Sequence, residues 1–199
     1  MGLLDFFKNS ANAATNYYKP FSTFHPNGDG KSSMNEKNQS GDAVINIARE
    51  YFNQGLSKLK RNNFNGAIDD FNKSIQTFPI NSGAFYNRGL AKHASGDNEG
   101  AIQDFSKSIE LNLEDNDAEV YYNRGIVYGI LKDHNSAILD FDAAIKIKPD
   151  FAAAYTNRAT AKFNLYDDAG AISDCTRALE LGDKSALRLF EEMKKNFSM

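Results

Sequence analysis

The sequence predicts an all-α solenoid built from four stacked helix pairs. A five-residue motif at residues 121–125, Tyr-Tyr-Asn-Arg-Gly, has related copies at 51–55, 85–89 and 155–159. An Ala-Ile pair begins twelve residues after the small residue of each motif, at 67–68, 101–102, 137–138 and 171–172. The copies are therefore 34, 36 and 34 residues apart. Because a unit of this length cannot bury its own apolar face, neighbouring copies are expected to stack into one continuous core.

Residues 1–40 are predicted to form an N-terminal amphipathic helix followed by a flexible linker. Apolar residues recur at helical spacing from Leu3 to Tyr18. Between His25 and Asp42 the only sizeable apolar residue is Met34, so that stretch cannot offset the entropy of ordering. The segment is also rich in aromatic residues: Phe6, Phe7, Tyr17, Tyr18, Phe21 and Phe24. Two interpretations stay open: docking into the groove of its own or a second copy of the chain, or a membrane contact, which the lack of a basic face disfavours.

Residues 41–199 are predicted to form the repeat domain. Its copies lie near 48–81, 82–115, 118–151 and 152–185, with a capping helix at 186–199. Gly, Asn and Asp between the two helices of each copy supply turns and caps. Pro79 and Pro149 end the second helices of the first and third copies. In the last helix, Leu187, Phe190 and Met193 fall on one side and charged residues on the others, as a solubilising cap requires.

Residues 48–185 resemble four tetratricopeptide repeats. The positions that match the family are the opening aromatics Tyr51, Phe85, Tyr121 and Tyr155, the small residues Gly55, Gly89, Gly125 and Ala159, and the second-helix pairs Ala67 with Phe71, Ala101 with Phe105, Ala137 with Phe141 and Ala171 with Cys175. The fourth copy departs most from the pattern. The resemblance implies a right-handed superhelical solenoid whose first helices line a concave groove for a peptide or partner protein.

An asparagine precedes each small residue by two positions, where the resemblance places a groove-facing side chain. These are Asn53, Asn87, Asn123 and Asn157. The flanking residues predicted on the same face are Phe52, Leu56, Tyr86, Leu90, His93, Tyr122, Ile126, Thr156 and Thr160. An apolar wall with amide groups suits an extended partner segment that carries apolar side chains. The alternatives are a solvated polar seam for the asparagines and a core role for some of the aromatics.

A ladder of acidic residues accompanies a ladder of arginines. The first copy has Gln54 where the later copies have Arg, so each Asp is predicted to bond the Arg of the next copy. The predicted structural pairs are Asp70 with Arg88, Asp104 with Arg124, and Asp140 with Arg158. The functional alternative is an anion-binding stripe of arginines.

The remaining features argue against catalysis. The net charge of −3 offers no large basic surface for nucleic acid, and the histidines lack metal-ligand spacing. Cys175, the single cysteine, falls in an apolar helical position. The cations with which chaperone-binding members of the resembling family grip a C-terminal carboxylate are absent at Phe52, Leu56, Glu119 and Asn123. We therefore expect a cytoplasmic, co-chaperone-like adaptor protein without enzyme activity, cofactor or metal, and as the alternative a membrane-proximal assembly factor anchored by the N-terminal helix.

Overall fold

The computed structural model of the protein describes residues 39–111 and 117–197. Within these ranges the chain forms nine α-helices and no strand. The helices fall into two compact units, one on each side of residues 112–116. The predictions made for residues 1–38, namely the amphipathic helix, the linker, self-docking and membrane contact, lie outside the described residues.

The first unit contains four helices. They are α1 (Gln39–Lys60), α2 (Phe64–Thr77), α3 (Ser82–Ala94) and α4 (Asn98–Leu111). Consecutive helices pack against each other as α1 on α2, α2 on α3 and α3 on α4. In the core, the ring of Phe52 lies 5.9 Å from that of Phe71, and Tyr86 lies 5.8 Å from Phe105. Each of these contacts joins the two helices of one copy, which is how a helix pair buries the apolar stripe of both members.

The second unit contains five helices. They are α5 (Ala118–Ile130), α6 (His134–Ile147), α7 (Ala152–Asn164), α8 (Asp168–Glu180) and α9 (Ala186–Phe197). Tyr122 packs on Phe141, 6.0 Å away, and on Phe151, 4.6 Å away. The last helix, α9, buries Leu189 and Met193 in a cluster with residues of α8 and so closes the end of the unit.

The turn inside each copy has the same construction. One residue per turn has a positive φ: Asn62 at 59°, Gly96 at 93°, Lys132 at 64° and Tyr166 at 62°. The side chain that follows then accepts a hydrogen bond from the first turn of the second helix: Asn63 from Gly66, Asp97 from Gly100, Asp133 from Ser136 and Asp167 from Gly170. These caps satisfy N–H groups that have no partner within the helix.

A small residue on the first helix makes room for an aromatic ring on the second. A Cβ added at Gly89 would lie 2.8 Å from the ring of Phe105, and one at Gly125 would lie 2.8 Å from Phe141. Contacts this short are not tolerated in packed cores, so these positions require glycine. The fourth copy has Ala159 instead, and the facing residue is the smaller Cys175.

The all-α repeat architecture predicted from the sequence is confirmed for the described residues. One boundary differs, because α1 begins at Gln39, inside the stretch that was assigned to the linker. A polar segment buries little apolar surface, but it can still be helical when it extends a helix that packs against its neighbour. The right-handed superhelix concerns the arrangement of the two units and stays a prediction.

Candidate partner-binding surface

Three of the four asparagines predicted to face a groove are buried. Asn87, Asn123 and Asn157 are 0–3% exposed, and each donates its side-chain N–H to the main-chain carbonyl four residues earlier. Asn157 also donates to the hydroxyl of Tyr122, 2.9 Å away. Asn53 alone of the four is exposed. The prediction that all four form an open row of amides is therefore wrong for three of them, because these side chains are buried and their N–H groups are bonded within the fold.

The apolar residues predicted beside them are mostly buried too. Those with 0–2% exposure are Phe52, Tyr86, Leu90, Tyr122, Ile126, Thr156 and Thr160. Leu56 and His93 are partly buried. The alternative that aromatics close the core holds for Phe52, Tyr86 and Tyr122, whose rings pack on the second helix of their own copy. An open apolar wall is thus not found, and a partner-binding role for these side chains stays a prediction.

The exposed asparagine, Asn53, belongs to a polar face of α1. Its residues are Asn46, Arg49, Glu50, Asn53, Gln54 and Ser57, which line a shallow depression of about 490 Å³. They recur at intervals of three and four, so they lie on one side of the helix over three turns. Two internal hydrogen bonds order this face: Arg49 donates to Asn46 at 2.9 Å, and Gln54 donates to Glu50 at 3.2 Å. We call this set the α1 polar face.

The predicted ion pairs between copies are wrong. Each arginine bonds the aspartate of its own copy through two N–H groups: Arg88 with Asp104, Arg124 with Asp140, and Arg158 with Asp174, at 2.6–2.8 Å. The partners are sixteen residues apart, which is the separation across one helix pair. The two helices of a copy face each other along their length, so the charges that meet belong to one copy.

Lysines explain why the first copy needs no arginine. Lys58 Nζ lies 2.6 Å from Asp70 Oδ2 and forms an ion pair with it. The same position in the second and fourth copies holds Lys92 and Lys162, which add a second cation to Asp104 and Asp174 at 2.9 and 2.8 Å. This lysine ladder was missed, and its spacing of four residues after the Arg or Gln position was the available signal.

Two of the arginines also reach a neighbouring copy through their third guanidinium nitrogen. Arg88 donates to Asn72 on α2 at 2.7 Å, and Arg158 donates to Asp142 on α6 at 2.5 Å. Arg88 and Arg158 therefore do link copies, but through the residue two positions after the predicted aspartate. Bidentate pairing uses the planar fork of arginine, and the remaining N–H stays available for the neighbour.

The pKa values agree with a structural role for these charges. Burial lowers the pKa of Arg124, but its hydrogen bond to Asp140 and the charge of that carboxylate, together with Tyr128 and Tyr121, raise it overall. The guanidinium therefore stays charged and paired. No arginine of the three pairs is available as an open anion site, because each already binds a carboxylate.

The described residues offer no group of three or more His, Cys, Asp or Glu side chains placed to hold a metal ion. Cys175 is buried, and burial raises the pKa of its thiol to about 12, with the charges of Asp174 and Asp183 acting in the same direction. A thiol with so high a pKa is a poor nucleophile at neutral pH. His93 lies 2.7 Å from Asn98 Oδ1 and serves as a partly buried structural side chain. No helix in the described ranges is both long and apolar enough to cross a bilayer.

These features define an α-helical repeat protein whose helix pairs are held by intra-copy ion pairs. Models of the tetratricopeptide repeat match residues 82–115 and 118–151. These two copies are therefore tetratricopeptide repeats. None of the curated proteins is similar enough in sequence to count as a relative.

Solved structures that are similar to this chain include MamA. One crystal structure of MamA is 26% identical to this chain in sequence. The match covers 74% of this chain and 85% of the MamA chain, with a TM-score of 0.66. A second MamA, from Desulfovibrio magneticus RS-1, is 19% identical over 75% and 94% with a TM-score of 0.65, and shows the fold alone. The second tetratricopeptide domain of human RPAP3, solved with an HSP70 peptide, is 25% identical over 55% and 92%, with a TM-score of 0.52.

Proposed function

We propose that the protein is a non-catalytic interaction scaffold that binds an extended segment of a partner polypeptide on the α1 polar face. The observation that carries this proposal is the exposure of Asn53 on a polar helix face, whereas the equivalent asparagines of the later copies are buried. Amide side chains both donate and accept hydrogen bonds, so they can pair with a peptide main chain of any sequence.

The spacing of the amides fits an extended chain. Asn46 and Asn53 are seven residues apart, which is about 10.5 Å along a helix. Three residues of an extended peptide cover about 10 Å, so two peptide groups that are three residues apart can each bond one of these two amide side chains. The peptide bound to the RPAP3 domain supports the same class of ligand for this chain. The expected cytoplasmic location stays a prediction.

The charge of the α1 polar face favours a ligand without strong net charge. Arg49 is its one cation, and Glu50 stands beside it. The positions that would supply cations for a terminal carboxylate hold Phe52, which is buried, and Leu56. The α1 polar face therefore suits the main chain of an internal partner segment better than a C-terminal carboxylate.

The test is a partner capture with the full chain and an Asn46→Ala, Asn53→Ala double variant. Both side chains are exposed, so the variant should unfold at the temperature of the wild type, within about 2 °C. Partners that co-purify with the wild type should be lost or reduced about tenfold in the double variant. Gln103→Ala, an exposed amide on α4, is the matched control and should retain them. Full retention by the double variant contradicts the proposal.

A further inference from the structure

The turn between α7 and α8 carries an exposed tyrosine in a backbone conformation that disfavours it. Tyr166 has a φ of 62° and its side chain is 91% exposed. The same place in the other copies holds Asn62, Gly96 and Lys132. Left-handed geometry is readily adopted by Gly and Asn but is unfavourable for a bulky aromatic residue.

Nothing within the described part of the chain compensates for this conformation. Tyr166 has main-chain hydrogen bonds there, from its N–H to Phe163 and from the next residue to Lys162, which any residue could provide. Its ring takes part in none of the aromatic or cation–π contacts found there, and its neighbour Leu165 is 40% exposed. An aromatic residue that costs stability and is 91% exposed is a candidate for an intermolecular contact.

The charges around the ring indicate what it contacts. Asp167, which caps α8, is exposed, and Asp168 in the first turn of α8 is partly exposed. The nearest lysine along the chain, Lys162, is paired with Asp174 at 2.8 Å and does not neutralise them. The turn therefore has an exposed aromatic residue followed directly in sequence by two carboxylates, a combination that favours a cationic side chain.

We propose that the turn at Leu165, Tyr166, Asp167 and Asp168 is a second interaction surface, which receives a Lys or Arg side chain of a partner segment over the ring of Tyr166. The cation lies against the ring face while the carboxylates complete its charge complementarity, and Leu165 contacts the aliphatic stem. This surface is separate in sequence from the α1 polar face, so the failure of either proposal leaves the other standing.

The test uses the labelled full-length chain on an array of immobilised 15-residue peptides that span a wide range of net charge. Tyr166→Gly should raise Tm by about 2–4 °C, since the strain is relieved. It should also weaken binding about threefold or more to a subset of peptides enriched in Lys and Arg. Lys132→Gly, the same turn in the third copy, is the control and should leave that subset unchanged.

Two results would overturn the proposal. One is an unchanged array profile for Tyr166→Gly; the other is a lost subset that is not enriched in cations. A contact of Tyr166 with a second copy of the chain is tested by sedimentation velocity. If Tyr166→Gly abolishes self-association and changes no peptide signal, the ring contacts a second copy. The proposal of a cationic partner segment is then wrong. Asp168→Asn adds an independent arm, and should weaken the same cationic peptides without raising Tm.

Discussion

The bidentate arginine–aspartate pairs are the clearest residue-level feature of the described structure. In each, a largely buried arginine side chain meets an almost fully buried carboxylate, as for Arg124 with Asp140, whose side chains are 19% and 7% exposed. Partners of this kind depend on each other, because removing one leaves an unpaired charge in a poorly solvated place. The pair therefore defines how the two helices of a copy align more than it adds net stability.

A double-mutant cycle tests this arrangement. Arg124→Met or Asp140→Leu alone should cost about 3 kcal/mol of unfolding free energy, and the double variant should cost less than the sum by about 1.5 kcal/mol or more. Chemical denaturation followed by circular dichroism measures each value. Arg124→Met combined with Asp174→Leu, a pair without a shared bond, should be additive. Additivity for Arg124 with Asp140 would refute the intra-copy pairing.

At the level of the helix pair, the sizes of two residues that face each other compensate: where one is larger, the other is smaller. Glycine faces phenylalanine in the first three copies, and alanine faces cysteine in the fourth. The pattern can be recognised by comparing the four copies, because each copy packs the same two positions with its own pair of side chains. It also shows why the fourth copy departs from the family pattern at two positions together.

Exchanging these residues gives a prediction for the fourth copy. Cys175→Phe should destabilise the chain by about 1–3 kcal/mol, because the ring would meet the methyl group of Ala159. Adding Ala159→Gly should recover most of that loss, less the roughly 1 kcal/mol that glycine costs inside a helix. Urea unfolding of the two variants and of Ala159→Gly alone provides the comparison. If the double variant is no more stable than Cys175→Phe, the coupling is absent.

For the whole molecule, the histidines should set the response of stability to mild acid. Burial lowers the pKa of His93, against a smaller opposing effect of its hydrogen bond with Asn98, and burial also lowers the pKa of His134. Below pH 6.5 the unfolded chain therefore binds protons that the folded chain resists. Stability is fully present above that pH and is lost as the pH falls towards the folded-state pKa values.

The measurement is the unfolding free energy between pH 7.5 and 5. It should decrease as the pH falls through 6.5, and His93→Gln with His134→Gln should flatten the curve. His25→Gln, at the third histidine of the chain, is measured in parallel for comparison. A slope unchanged in the double variant would show that neither histidine carries the effect.

The sequence by itself determined the repeat, the register of its four copies, the helices and the positions of the small and the aromatic residues. These follow from periodicity and side-chain size, which are properties of the chain read in order. Tertiary structure decided which charges meet, since Asp104 binds Arg88 of its own copy and not the arginine of the next. It also decided that Asn87 is buried while Asn53 is exposed. Equivalent positions in a repeat have similar local sequence, but their burial depends on what packs against each one, and only the folded arrangement of helices supplies that.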